Sequence, residues 1–276
     1  MSPLPIVLIC AAALALAWWI WSQPWRQRRR RARLAGQPFP AAWRAILRRR
    51  VPLYRRLPAD LQRQLRALIQ AFIAEKAFIG CAGQAIDDEV RVTIAAQACL
   101  LQLNRRSADL FANCRQVLVY PAAFIVERAE GLGAGLVSEQ RRVLLGESWS
   151  RGQIILSWPD CLAGAADPDD GHNVVIHEFA HQLDQLTGSA NGAPPLPSRA
   201  RHARWSAVMN REFAELRKRA ALGQPALLDA YAATEPAEFF AVASEVFFER
   251  PGPLAAEHPM LYDELAAYFR VDPLNW

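Results

Sequence analysis

The chain has 276 residues, 52% of them hydrophobic and 21% charged, with a formal net charge of +5. That length holds one large domain or two small ones, and no internal repeat points to a solenoid. Residues 1–56 carry twelve arginines and no acid, leaving 20 basic against 27 acidic residues in the remainder. The folded part is therefore mildly acidic, which argues against a nucleic-acid partner. The five cysteines (Cys10, Cys81, Cys99, Cys114 and Cys161) are scattered without a C-x-x-C pair, so they read as free thiols rather than a disulfide framework.

Leu4 to Trp21 is apolar throughout (LPIVLICAAALALAWWIW), and a run of about 18 residues is just long enough to cross the hydrocarbon core as a helix. Trp18, Trp19, Trp21 and Trp25 gather at its end, followed by Arg26, the run RRRR at 28–31 and Arg33. A cleavable signal peptide would put its charge before the apolar core and small residues after it. The reverse order here predicts a transmembrane anchor over 1–25, N-terminus out, with everything after Arg26 in the cytoplasm. The arginines read first as a simple topology determinant with no further role; attraction to anionic lipid is the second reading.

Residues 26–57 read as a basic juxtamembrane linker with a short helix at 40–50, and 58–276 as the folded domain. Leu61, Leu65, Leu68, Ile69, Phe72 and Ile73 have the spacing of an amphipathic helix over 60–76, and a more buried helix follows over 90–103. VLVYPAAFIV at 117–126 predicts a strand interrupted at Pro121. Strands at 142–149 and 153–158 flank a turn around 150–152. Asn173 or Asp170 caps a helix running to about Leu186. The proline-rich GAPPLPS at 192–198 separates it from a helix at 199–221, and helices follow at 235–249 and 258–269. These elements define an α+β domain, a small sheet ahead of a mostly helical second half.

The chemistry gathers in VVIHEFAHQLDQL at 174–186. His177 and His181 stand four apart, on one helical face and about 6 Å apart along the axis, so both imidazoles can reach one metal ion. Glu178, between them, is placed to take a proton from a metal-activated water. Asp184 is too far along the axis from His177 to share the ion, but it can orient a ligand or a loop. His202 lies in an arginine-rich polar helix and reads as solvated. The third ligand is better sought in DAYAATEPAEFFAVASEVFF at 229–248, where Glu238 opens an apolar helix and is costly to bury unless it meets a cation. Glu245, two turns further on, either braces the site or is an ordinary helix glutamate.

HEFAHQLD followed by AYAATEPAEFFAVASEVFF resembles the Mlc titration factor A family of zinc peptidases and, more distantly, the glutamate-liganded zinc site of anthrax lethal factor. YPAAFIV at 120–126, ESWSRGQIILSW at 147–158 and YFRVDPL at 268–274 fit the same family, so the resemblance spans roughly 58–275. It implies a zincin-like, gluzincin-type fold with one Zn2+ per chain held by His177, His181 and Glu238. It further implies Glu178 as general base and Tyr231 as the donor that stabilises the oxyanion. Family members can have a histidine in the segment corresponding to GLVSEQ, where this chain has Ser138. The expected activity is hydrolysis of peptide bonds in a peptide or protein substrate, with an extended substrate adding to the strand at 154–158. The resemblance also implies association with a transcriptional repressor, so a regulatory protein-binding module with latent or no peptidase activity is the alternative. A structural zinc domain would favour four protein ligands, often cysteines, and these cysteines lack the spacing.

Overall fold

The computed structural model describes residues 4–105, 111–122, 124–132, 136–144, 146–149 and 152–276. Helices α1 (Leu4–Trp21), α2 (Gln23–Ala35), α3 (Ala41–Arg50), α4 (Leu53–Arg56) and α5 (Ala59–Glu75) lead into strand β1 (Ala77–Gly80) and helix α6 (Asp88–Leu100). Strands β2 (Gln116–Tyr120), β3 (Phe124–Leu132), β4 (Leu136–Leu144), β5 (Gly146–Trp149) and β6 (Gln153–Ser157) follow. The second half is helical: α7 (Trp158–Ala166), α8 (Val174–Asp184), α9 (Arg199–Ala221), α10 (Pro236–Glu249), α11 (Pro251–Glu257) and α12 (Pro259–Phe269). The α+β expectation therefore holds.

The sheet has the order β1-β2-β6-β5, with β1, β2 and β6 parallel and β5 antiparallel at one edge. β3 and β4 form a separate antiparallel hairpin. The strand at 153–157 is thus interior, paired on both sides, and cannot accept a substrate strand; the edge on that side is β5. It also ends one residue earlier than its sequence suggests. Pro159 cannot donate to a ladder but suits a first helical turn, so Trp158 starts α7. Ser150 and Arg151, in the turn expected between these strands, lie outside the described residues, as does the side chain of Ser138.

Local chemistry explains the helix starts. The Asp87 side chain accepts from the Val90 N–H at the head of α6, Asn173 from the Ile176 N–H at α8 and Ser198 from the Arg201 N–H at α9. Proline opens α10, α11 and α12. The stretch read as a linker is largely helical, and Phe39, Ile46, Leu47, Val51, Leu53, Tyr54 and Leu57 join the core. Its arginines mask this in the sequence, because the apolar positions of α3 are few and flanked by charge. The core runs from there through the Phe72, Phe111 and Phe179 rings, with Phe111 and Phe179 centroids 4.6 Å apart, to the α10–α12 aromatics.

Among the described residues no single helix is long and apolar enough to cross a membrane; Leu8–Trp21 and Trp25–Ala35, bent by 41°, pass together by length and composition alone. Helix α2 is fastened to the end of α5. Arg31 forms an ion pair with Glu75 at 2.6 Å, and Arg30 donates to the Ala74 carbonyl at 3.0 Å.

Candidate metal centre

Helix α8 buries Val175, Ile176, Phe179, Ala180 and Leu183 completely or nearly so, which fixes its rotation about its axis. That rotation turns His177 and His181 toward the first turn of α10, where Pro236 sets the start of the helix and Glu238 sits two residues in. The three residues expected to meet do meet. His177 Nε2 lies 3.0 Å from Glu238 Oε2, His181 Nε2 lies 3.4 Å from the same oxygen, and the two ring nitrogens are 3.2 Å apart.

This triangle is the shape a tetrahedral metal ion imposes. Bonds of about 2.0–2.1 Å give ligand-to-ligand edges of about 3.3 Å. The donor set, two imidazoles and one carboxylate, is that of a catalytic site with an open fourth position. On the far side of the first ring, His177 Nδ1–H donates to Glu245 Oε1 at 2.8 Å, fixing the tautomer that leaves Nε2 free to bind a metal. Burial alone would lower the His177 imidazole, but hydrogen bonds to Glu238 and Glu245 hold it well above its ordinary value. Glu238 shows the converse: burial would raise its carboxyl, and the two histidines bring it far below the carboxylate range.

Glu245 is therefore a brace, the first of its two sequence readings. Its other oxygen accepts the Asn173 N–H, while the Asn173 side-chain amide donates to the Gly164 carbonyl at 3.0 Å and to Glu249 Oε1 at 2.8 Å. One asparagine thus caps α8 and ties it to α7 and α10. Glu249 was not singled out in the sequence, although 238, 245 and 249 recur at helical spacing as the acids of an apolar helix, a pattern that marks one polar strip. Burial pushes its carboxyl up to about 9, against the hydrogen bond from Asn173 and helped by the charges of Asp170 and Glu245.

Glu178 is buried on the same helix. Tyr231 lies in a single turn over 230–233, started by the Asp229 carboxylate accepting the Tyr231 N–H at 2.7 Å. The residue is 45% exposed, with its ring centroid 6.2 Å from that of His177, which puts it at the mouth of the site rather than in its floor. His202 is exposed, as expected, and Asp184 stands outside the triangle, accepting backbone N–H groups from the loop after α8.

Fold and site define a metallopeptidase-family protein. The chain belongs to the glucose-regulated metallo-peptidase M90 family, whose model matches residues 25–270. It is 38% identical to Mlc titration factor A of Salmonella agona over 230 residues, covering 81% of this chain and 84% of that protein. With Mlc titration factor A of Cronobacter sakazakii it shares 36% over 239 residues, 85% and 88% of the two chains. An uncharacterized protein of Synechocystis is 39% identical over 276 residues, 98% of each chain.

Proposed function

We propose that the chain is a zinc-dependent peptidase of gluzincin type, held in the cytoplasmic membrane by its N-terminal helix with the catalytic domain in the cytoplasm. The observation that carries the catalytic part is the triangle of His177, His181 and Glu238 with Glu178 on the same helix. These three would hold one zinc ion, which when bound supplies Lewis acidity and an acidified water.

The remaining chemistry belongs to the side chains. Glu178, next to one ligand on α8, takes a proton from the attacking water and delivers it to the departing amide nitrogen. Tyr231, at the mouth, donates its phenolic hydrogen bond to the carbonyl oxygen as negative charge builds there. Glu245 keeps the His177 ring in register. An extended substrate would pair with the outer side of β5, an edge strand of the sheet among the described residues, which runs beside α8.

The membrane part is supported by α1, whose Leu8, Ile9, Leu14, Leu16 and Ile20 are all more than half exposed. The Synechocystis match covers 98% of this chain, so it takes in most of that segment as well. A second reading, a module that binds a transcriptional regulator, is supported by the name of the Mlc titration factor A relatives, and it can coexist with catalysis.

Zinc content and peptidase turnover, measured on the parent chain and on Glu178→Gln, test the catalytic proposal. The expected result is about one zinc in both, with turnover lower by about 10²–10⁴-fold in the variant. Zinc in both with no turnover in either favours the binding module. A folded parent chain that takes up no zinc overturns the proposal.

A further inference from the structure

The loop between α8 and α9 is held at one glycine from three sides. Asp184, the last residue of α8 and fully buried, accepts the N–H groups of Asn191 at 2.8 Å and Gly192 at 2.7 Å on a single oxygen, Oδ2. The Gly192 carbonyl accepts the indole N–H of the buried Trp205 at 2.9 Å. The Gly192 Cα faces the start of α10 so closely that a Cβ there would lie 2.4 Å from the Pro236 carbonyl oxygen. Its φ of +75° belongs to the left-handed region, so the backbone also favours glycine.

Pro236 is the first residue of α10, and Glu238 is two residues further on. A continuous contact path therefore runs from the C-terminal end of the histidine helix, through Asp184 and Gly192, to the residue that starts the glutamate helix. The N-terminal end of the histidine helix is tied to the same α10 by Asn173, Glu245 and Glu249. The rest of α10 is held by its packed core face, so the second tie acts locally, on the first turn that presents Glu238 to the two ring nitrogens.

We propose that Asp184 and Gly192 form a latch that positions Glu238 against His177 and His181, making both residues positioning residues for metal binding. This inference rests on the zinc reading above. The Asp184 oxygen acts as a geometric acceptor, so its charge is dispensable and its carbonyl-like lone pairs are not.

The test is zinc affinity, by competition with a chromogenic chelator, on the full chain in detergent, with circular dichroism reporting the fold. Gly192→Ala and Asp184→Ala should each weaken zinc binding by about 10–100-fold, the usual cost of losing an outer support of a metal site. Asp184→Asn, which keeps an acceptor oxygen, should bind close to the parent. Gly223→Ala imposes the same backbone strain at φ +62° with nothing within 4 Å, and it should leave affinity unchanged. Should Gly192→Ala fail to fold, the Asp184 pair decides alone. Affinity in Gly192→Ala equal to that in Gly223→Ala, or Asp184→Asn as weak as Asp184→Ala, overturns the latch. A parent chain without zinc affinity is a different failure, because it removes the zinc reading and the latch falls with it.

Discussion

Helices α1 and α10 are both rich in apolar residues, yet they meet opposite fates. Phe239, Phe240, Phe247 and Phe248 of α10 are essentially sealed in the core, whereas Leu14 and Trp21 of α1 are 72% and 75% exposed. The difference lies in how polarity is arranged. α10 has its three inward-facing acids on one strip, and each finds a partner there: Glu238 the two histidines, Glu245 His177 and Asn173, Glu249 Asn173. α1 has no polar strip at all, so nothing in its sequence directs one face toward a protein core. A helix is given a unique seat by the polar groups it must satisfy as much as by the apolar surface it hides.

The largest expected effect tests that contrast directly. Phe240 of α10 is fully buried against Trp205 and Tyr268, so Phe240→Ala should cost about 3–5 kcal/mol in a urea melt. Leu14→Ala should leave the same melt where it was. Equal costs would mean that α1 has a packed partner after all.

Next in size is the brace. Glu245→Ala removes the acceptor of His177 Nδ1–H and should weaken zinc binding by about 10–100-fold, measured by chelator competition. A parent-like affinity would reduce Glu245 to a helix glutamate without a role in the site.

Most of the centre was legible because it is written in local spacing. HEFAH places two ring nitrogens on one face by helical geometry, and the cost of burying Glu238 demanded a cation. Asn173 was legible as a cap. The second tie was not, because Asp184 reaches Gly192 through a loop whose path depends on Trp205 and Pro236, residues that no periodicity connects. The core role of α3 was hidden for a similar reason: Ile46 and Leu47 lie within a run of arginines, and burial of two adjacent residues has no period. Only the two ends of the β3–β4 hairpin were legible, within the strands expected at 117–126 and 142–149, because its charged residues, among them Glu127, Arg128, Glu130, Glu139, Arg141 and Arg142, give no apolar alternation to read. The substrate edge was misplaced because a short apolar run looks the same at an edge and in the middle of a sheet.

Glu249 offers a pH-dependent version of the comparison. Its carboxyl sits near 9 in the fold against an ordinary value of 4.5, so the folded state holds the proton more tightly than the unfolded chain. The stability it contributes is full below about 4.5 and is lost as pH rises toward 9. Glu249→Gln stays neutral throughout and keeps an oxygen for Asn173. Relative to the parent, it should melt at nearly the same temperature at pH 4.5 and several degrees higher at pH 8, about 2–4 °C per kcal/mol for a domain of this size. A gap that does not widen with pH would show that burial leaves Glu249 an ordinary, solvated carboxylate.

The smallest effect is expected where the N-terminal segment meets the folded domain. Arg31 and Glu75 are 17% and 13% exposed, enough to be partly shielded from water but not to be sealed, and the pair joins α2 to the last turn of α5. Arg31→Ala should therefore cost at most about 1 kcal/mol of global stability, the ceiling for pairs near a surface. The sharper readout is local. Arg30 also donates to the Ala74 carbonyl, so the two arginines together help keep α2 alongside α5, and Arg31→Ala leaves that exposed hydrogen bond beside the packing of the two helices. Tryptic cleavage within 26–33 should accelerate in Arg31→Ala while cleavage within α8–α10 keeps its rate. An unchanged cleavage pattern would mean that α2 is held by its apolar contacts alone, leaving the arginines free to face anionic lipid.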